Sequence, residues 1–339
     1  MKTESTALLV INRILFAIIL MLSQAATATN EKNSLTEHSK VTGRNFQHIS
    51  ASGDGQSLLI SECSPDGNKK CLMYEYDLVG QKINYLPASI SREATGEYDG
   101  SNIIVSQYDA HTKSTRIKIL EKANGSIAEI ATISGIASAP KRIAAASLVY
   151  WKGETSAQNI TKYDVWELNT KSAREHLFAG RHQFFSYSSI NVLDQSKVLV
   201  SAEGPAAFAQ DIAKYWAKYN RSAIYVTSRG EPDLPKPVYI NATGANVPVM
   251  AGADNLFFSG EDNGMFVFEY SGSKEIARFR KPTSFGAILQ STYANSSAKL
   301  YFIYQFLNSG ERGNYGIVQL DTRTSQWTTL NISAPLMPQ

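Results

Sequence analysis

The chain has 339 residues, of which 43% are hydrophobic and 19% charged. That is too apolar for a disordered polypeptide and too polar for a multi-span membrane protein. Its 33 basic and 30 acidic residues leave a net charge of +3, which gives no field for nucleic-acid binding.

The first 28 residues read as a secretory signal peptide. Lys2 and Arg13 precede an unbroken apolar run from Ile14 to Leu22, and Ala26-Thr27-Ala28 puts small residues where a signal peptidase cuts. The run is shorter than the ~20 residues a membrane span needs. Cleavage after Ala28 is expected, and no cysteine follows the run to carry a lipid. The chain from Thr29 onward is then soluble, exported and without a span. Residues 29–43 are polar and patternless and read as a flexible N-terminal tail.

Two cysteines, Cys63 and Cys71, flank the turn signal Pro65-Asp66-Gly67. An oxidising compartment favours a disulfide between them. The alternatives are two unrelated thiols, or a metal site, for which no His or third Cys lies nearby.

From Gly43 onward, short alternating apolar runs are separated by Gly, Asn, Asp and Ser, the pattern of strands and turns. One unit recurs: an apolar alternating strand, a polar or acidic residue, a turn, and a further strand. Its copies start at Met73, Ile117, Val165, Ile224, Phe266 and Ile317, with steps of 44, 48, 59, 42 and 51 residues. Repeats of 40 to 50 residues with about four strands each indicate a β-propeller. A lone four-stranded blade cannot bury both faces, whereas six blades in a ring cover one another. The expected fold is all-β, a six-bladed propeller over residues 44–332, with a C-terminal tail at 333–339. A pair of β-sandwiches is the alternative.

Gly53-Asp54-Gly55, followed by Leu58-Leu59 and then Met73-Tyr-Glu-Tyr-Asp77-Leu-Val-Gly80, resembles the TolB-type, WD40-like repeat. Gly53 stands where that repeat usually has Pro, and the other five copies largely lose the Asp-Gly opening. The resemblance implies the propeller fold. Residues 29–43 are too few for the separate α/β domain that precedes the propeller in TolB.

In a propeller, loops between the second and third strands of each blade share one face with the blade-to-blade connections, and sites gather there. The longest within-blade loop falls at 203–222. In it, Pro205 opens a predicted helix over 206–219 with Phe208, Ile212, Tyr215, Trp216 and Tyr219 in one stripe. That stripe either covers the blade or offers Tyr215 and Trp216 to a partner. The connection Gly180 to Tyr187 adds His182, Phe184 and Tyr187, unless Phe184 simply begins the next strand. Arg280, with Arg278 and Lys281, forms a small basic cluster in the fifth-to-sixth blade connection.

No nucleophile elbow, zinc-protease, phosphate-loop or C-x-x-C motif is present. Some TolB-like propellers are pectin-fragment lyases with histidine-held metal in the channel. Here only His48 and His182 precede expected inner strands, so no metal or cofactor is expected. The chain reads as a monomeric binding or scaffolding module of a bacterial periplasm, or a secreted one, with a protein or oligosaccharide partner. The alternative is an oligogalacturonide-lyase-like enzyme acting on an acidic oligosaccharide.

Overall fold

The computed structural model describes residues 44–63, 71–87, 90, 94–156, 161–203, 222–232, 237–238, 243–262, 264–306 and 315–333. Blade 1 is β1 (Asn45–Ala51), β2 (Ser57–Cys63), β3 (Cys71–Asp77) and β4 (Lys82–Tyr85). Blade 2 is β5 (Ala94–Asp99), β6 (Asn102–Asp109), β7 (Ser114–Glu121) and β8 (Ser126–Ser134). Blade 3 is β9 (Ile136–Ala144), β10 (Ser147–Thr155), β11 (Thr161–Asn169) and β12 (Arg174–Leu177). Blade 4 is β13 (Ser186–Asp194), β14 (Lys197–Glu203), β15 (Ser222–Ser228) and β16 (Pro237–Val238). Blade 5 is β17 (Thr243–Ala251), β18 (Asn255–Glu261), β19 (Met265–Ser271) and β20 (Lys274–Arg280). Blade 6 is β21 (Phe285–Ala294), β22 (Lys299–Phe306), β23 (Tyr315–Asp321) and β24 (Gln326–Thr329).

Each blade is an antiparallel sheet of four consecutive strands, and the six blades form a β-propeller. The repeat seen in the sequence is the third strand each time: β3, β7, β11, β15, β19 and β23. The polar residue that closes it has a local job. Asp77 Oδ1 accepts from the N–H groups of Val79 and Gly80, and Asn169 Oδ1 from those of Lys171 and Ser172. Asp321 does the same for Arg323 and Thr324, so the side chain shapes the turn into the fourth strand.

Burial follows position in the blade. Second strands are buried on both faces, as in Leu58–Glu62 of β2 and Leu300–Tyr304 of β22, because a neighbouring blade covers each face. Fourth strands such as β4 and β20 alternate or lie open. The apolar interior is divided into six clusters, one between each pair of adjacent blades.

The sequence pattern suggests that a stretch near Val41 completes the ring. That stretch lies outside the described residues, and blade 6 has four strands of its own. Blades 1 and 6 meet through side chains and a backbone hydrogen bond. Phe46, Ile49, Leu58, Ile60 and Tyr74 pack with Tyr301, Ile303, Ile317 and Ile332. Arg44 donates to Glu62 through Nε and Nη2 and to the Ile332 carbonyl through Nη1 at 2.6 Å. The Tyr315 N–H donates to the Arg44 carbonyl at 2.9 Å.

Inner strands start earlier than the punctuation of the sequence implies. Pro140 lies inside β9 and Pro248 inside β17, positions expected to be connections. An inner strand is a sheet edge, so proline removes no ladder bond on that side. Both prolines sit in bulges, beside Ala139 (φ 51) and Val247 (φ 45). The left-handed conformation is costly for a β-branched residue. At Val247 it is held by the Asn246 side chain on its N–H at 2.8 Å and by Ser291 Oγ donating to its carbonyl at 2.6 Å.

Cys63 and Cys71 face each other directly across β2 and β3 and are disulfide-bonded, as expected. The bond closes a loop with a sequence separation of only 8. Replacing both cysteines by serine is expected to lower stability by no more than about 2 to 3 kcal/mol. Urea unfolding measures this. Loss of the cooperative transition would show that the bond organises the ring rather than one loop. The predicted helix at 206–219 lies outside the described residues, whose elements are all strands.

The candidate functional site: channel and loop face

The six inner strands β1, β5, β9, β13, β17 and β21 surround a central cavity of about 40 Å3, room for a few waters. Among its lining residues are His48, Glu97, Lys141, Asn191, Gln290 and Thr292. An antiparallel meander brings the second-to-third-strand loops and the blade-to-blade connections to the same end of this channel. Residues 64–70, 204–221 and 307–314 lie outside the described residues.

On one side of the cavity three successive inner strands each supply one ionisable group. Lys141 Nζ on β9 lies 2.5 Å from Glu97 Oε2 on β5, and His48 Nε2 on β1 lies 3.1 Å from Glu97 Oε1. The second contact is one of distance only. Apart from this contact, His48 Nε2 is buried without a polar partner among the described residues. Burial opposes charge on Glu97, but Lys141 and then His48 outweigh it and hold the carboxyl at about 2.

The opposite side is tied by neutral groups. Ser189 Oγ and Asn191 Nδ2 donate to the Pro248 carbonyl at 3.0 and 2.8 Å. Thr292 Oγ1 accepts from the Ala51 N–H at 2.9 Å across the seam between blades 6 and 1. Inner strands of adjacent blades are thus joined by side chains, since their backbones do not pair.

The lowered pKa of Glu97 has a sign. A carboxyl that ionises more readily when folded stabilises the protein above the unfolded pKa, and that contribution is lost as pH falls toward the folded one. Stability is therefore expected to drop between about pH 4.5 and pH 2 by a few kcal/mol. Glu97→Gln should flatten that segment in urea unfolding at stepped pH. An unchanged slope would mean that Glu97 is not the group responsible.

The residues singled out in the sequence fall in different places. Phe184 is 1% exposed, edge-on to Trp151 at 5.7 Å and near Tyr225 at 5.3 Å. Tyr187 stacks on Trp151 at 5.3 Å, and its hydroxyl accepts from Ser138 Oγ at 2.5 Å. Both belong to the cluster between blades 3 and 4, so Phe184 does form part of the interior.

His182 is buried, with its backbone N–H on Asp164 Oδ1 at 2.7 Å. Burial lowers the His182 pKa against the pull of Asp164 and Glu231. Its connection is clasped to blade 4, where the Gly180 N–H donates to the Glu231 carbonyl at 2.7 Å. A side chain at Gly180 would collide with the Pro232 carbonyl.

Arg280 ends β20 and is exposed. Its neighbour Lys281 is buried and donates to the Gly286 carbonyl, and burial pushes its amine down to about 8. Tyr215 and Trp216 lie outside the described residues. His48 sits within β1, not before it, and joins Glu97 rather than His182. No group of three His, Cys, Asp or Glu side chains with metal-ligating proximity occurs among the described residues.

Glu97 and Lys141 were not picked out from the sequence. The available signal was a charged residue inside two of the inner strands, in Gly96-Glu97-Tyr98 of β5 and Pro140-Lys141-Arg142 of β9. It is legible only once those segments are read as strands.

No family model matches the chain, and no curated protein matches it. Solved structures match by fold. The β-propeller domain of the trilobed protease from Pyrococcus furiosus, which has an open velcro topology, superposes with a TM-score of 0.53 at 10% identity, over 86% of each chain. A Mycobacterium tuberculosis puromycin-hydrolyzing peptidase gives 0.53 at 10% identity over 87% of this chain and 54% of its own. An oligogalacturonate lyase in complex with manganese gives 0.50 at 11% identity, covering 84% and 77%. The chain spans about half of the peptidase. At these identities the likeness is one of propeller fold. Among the described residues, the first and last blades are each built from four consecutive strands.

Proposed function

We propose that the chain is an exported binding or scaffolding module of a bacterial periplasm, holding a protein or other ligand on the loop face over the channel. One observation carries this reading. The cavity of about 40 Å3 is far below the ~300 Å3 of an ordinary ligand pocket. A macromolecular partner therefore meets the loop face, and the channel beneath admits no more than a small group of it. Arg280 and the segment carrying Tyr215 and Trp216 supply cation and aromatic contacts at that face. His182, Phe184 and Tyr187 hold the connection beneath it. The chain acts as a monomer, with no cofactor.

The lyase reading draws on His48, Glu97 and Gln290 sharing one channel. It is weaker because Lys141 already pairs with the single carboxylate.

Replacing 206–219 by a short Gly-Ser bridge tests the proposal. The melting transition should stay within a few degrees of the parent, because the segment joins adjacent strands whose ends are close. Crosslinked partner in the exported fraction should disappear. Undiminished crosslinking would remove the segment from the site, and global unfolding would make it a core element.

A further inference from the structure

The polar groups around the channel are unevenly used. Glu97 has both carboxylate oxygens engaged, Oε2 by Lys141 and Oε1 by the edge of His48. Ser189 and Asn191 give their donors to the Pro248 carbonyl, and Ser291 gives its own to Val247. What remains unspent is donor capacity. An ammonium carries three N–H groups, and Lys141 uses one of them on Glu97. Its side chain is 32% exposed, and it is one of the residues that line the cavity.

His48, with its side chain 5% exposed, lines the same cavity and leaves Nε2 without a hydrogen bond. A buried polar group left in this state calls for an occupant. Gln290 adds a side-chain amide to the wall. Glu97 is charged and compensated, so the three groups sum to zero with neutral imidazole and to +1 with imidazolium.

From these observations we infer that the central channel binds a single small carboxylate, free or as the acid end of a peptide, through Lys141, His48 and Gln290. A carboxylate matches surplus donors with two acceptor oxygens, and charge-assisted bonds to lysine and histidine are the stronger kind. The cavity holds a carboxyl group and little more, which excludes a whole sugar ring or an aromatic acid from the inner part. The inference deepens the binding reading and rests on it only in taking the channel as part of the ligand side.

The test uses the chain from Thr29 with its disulfide intact. Sodium formate is titrated against sodium chloride at constant ionic strength, with the histidine side-chain resonances followed by NMR. His48→Gln assigns the His48 signal. The expected result is a saturable shift of His48, absent from His111 and His176. Affinity should fall at least tenfold in Gln290→Leu, which leaves the ion pairs intact. It should fall equally in the double variant Glu97→Gln, Lys141→Met, which removes both charges together.

An acetylated tripeptide with a free C-terminus is then compared with its amide. Competition by the free acid alone assigns the site to a peptide end, and competition by neither assigns it to a small free acid. A shift that is absent or linear, or one equal in parent and Gln290→Leu, overturns the inference. Partner crosslinking is read separately. A chain that captures its partner but ignores formate loses this inference and keeps the binding reading.

Discussion

Removing residues 326–339 is expected to unfold the entire ring. The deletion takes away β24, the outermost strand of blade 6, and bares the edge of β23. It also takes Trp327, whose ring lies 5.8 Å from Phe302 and 6.1 Å from Phe285. The Leu330 N–H loses the Ile317 carbonyl, and Arg44 loses the Ile332 carbonyl. Trp327 is partly buried, and a fully buried tryptophan would set the upper bound of its truncation cost at about 3 to 5 kcal/mol. With Ile332 gone from the cluster between blades 1 and 6, the loss approaches a domain's whole stability of about 5 to 15 kcal/mol. Circular dichroism melting and limited proteolysis read the result. A truncated chain that still melts cooperatively near the parent temperature would show that blade 6 does not depend on its outer strand.

Arg44→Met should cost about 3 to 5 kcal/mol, the cost of breaking a buried ion pair by removing one partner. Arg44 touches Glu62 twice, Tyr74 Oη at 3.3 Å and the Ile332 carbonyl, so one side chain joins the first blade to the last. Glu62 is 3% exposed, and without the guanidinium it becomes an unpaired buried carboxylate. Burial works against the charge on Arg44, but Glu62 more than offsets it and raises the guanidinium pKa. Burial and Glu62 also raise Tyr74, which stays neutral and donates to Glu62 at 2.9 Å.

The double variant Arg44→Met, Glu62→Gln separates the causes. Removing both charges should restore most of the loss, because the carboxylate no longer needs compensation. Urea unfolding of the three chains decides it. If the double variant is no better than the single, the Ile332 carbonyl and the seam itself carry the energy.

Blade number and strand order were legible because the third strand is the most regular part of each repeat. It is apolar and alternating, and at Asp77, Asn169 and Asp321 it ends on a residue that shapes the next turn. Inner strands were harder to read. Pro140 and Pro248 have the appearance of breakers, yet each occupies a sheet edge where no donor is required. The same misreading hid Glu97 and Lys141, whose importance comes from meeting across blades and not from any local motif. The aromatic run at 184–187 was ambiguous for a different reason. Whether Phe184 faces solvent or interior depends on Trp151 and Tyr225, which are 33 and 41 positions away in sequence. The closure at Arg44 depends on a carbonyl 288 residues away.

The narrowness of the channel also bears on self-association. Every four-stranded sheet has two bare edges, and a bare edge invites another chain to add a strand. Here six of the edges point inward, onto a cavity of about 40 Å3 that no extended polypeptide can thread. They are protected by inaccessibility rather than by side-chain chemistry, which leaves their residues free to be apolar, bulged or proline. The outward edges lack that shelter, and two of them use charge instead. Lys274, Glu275, Arg278 and Arg280 stud β20, and Lys82 opens β4. The ring thus divides the hazard of amyloid-like pairing between geometry on the inside and electrostatics on the outside.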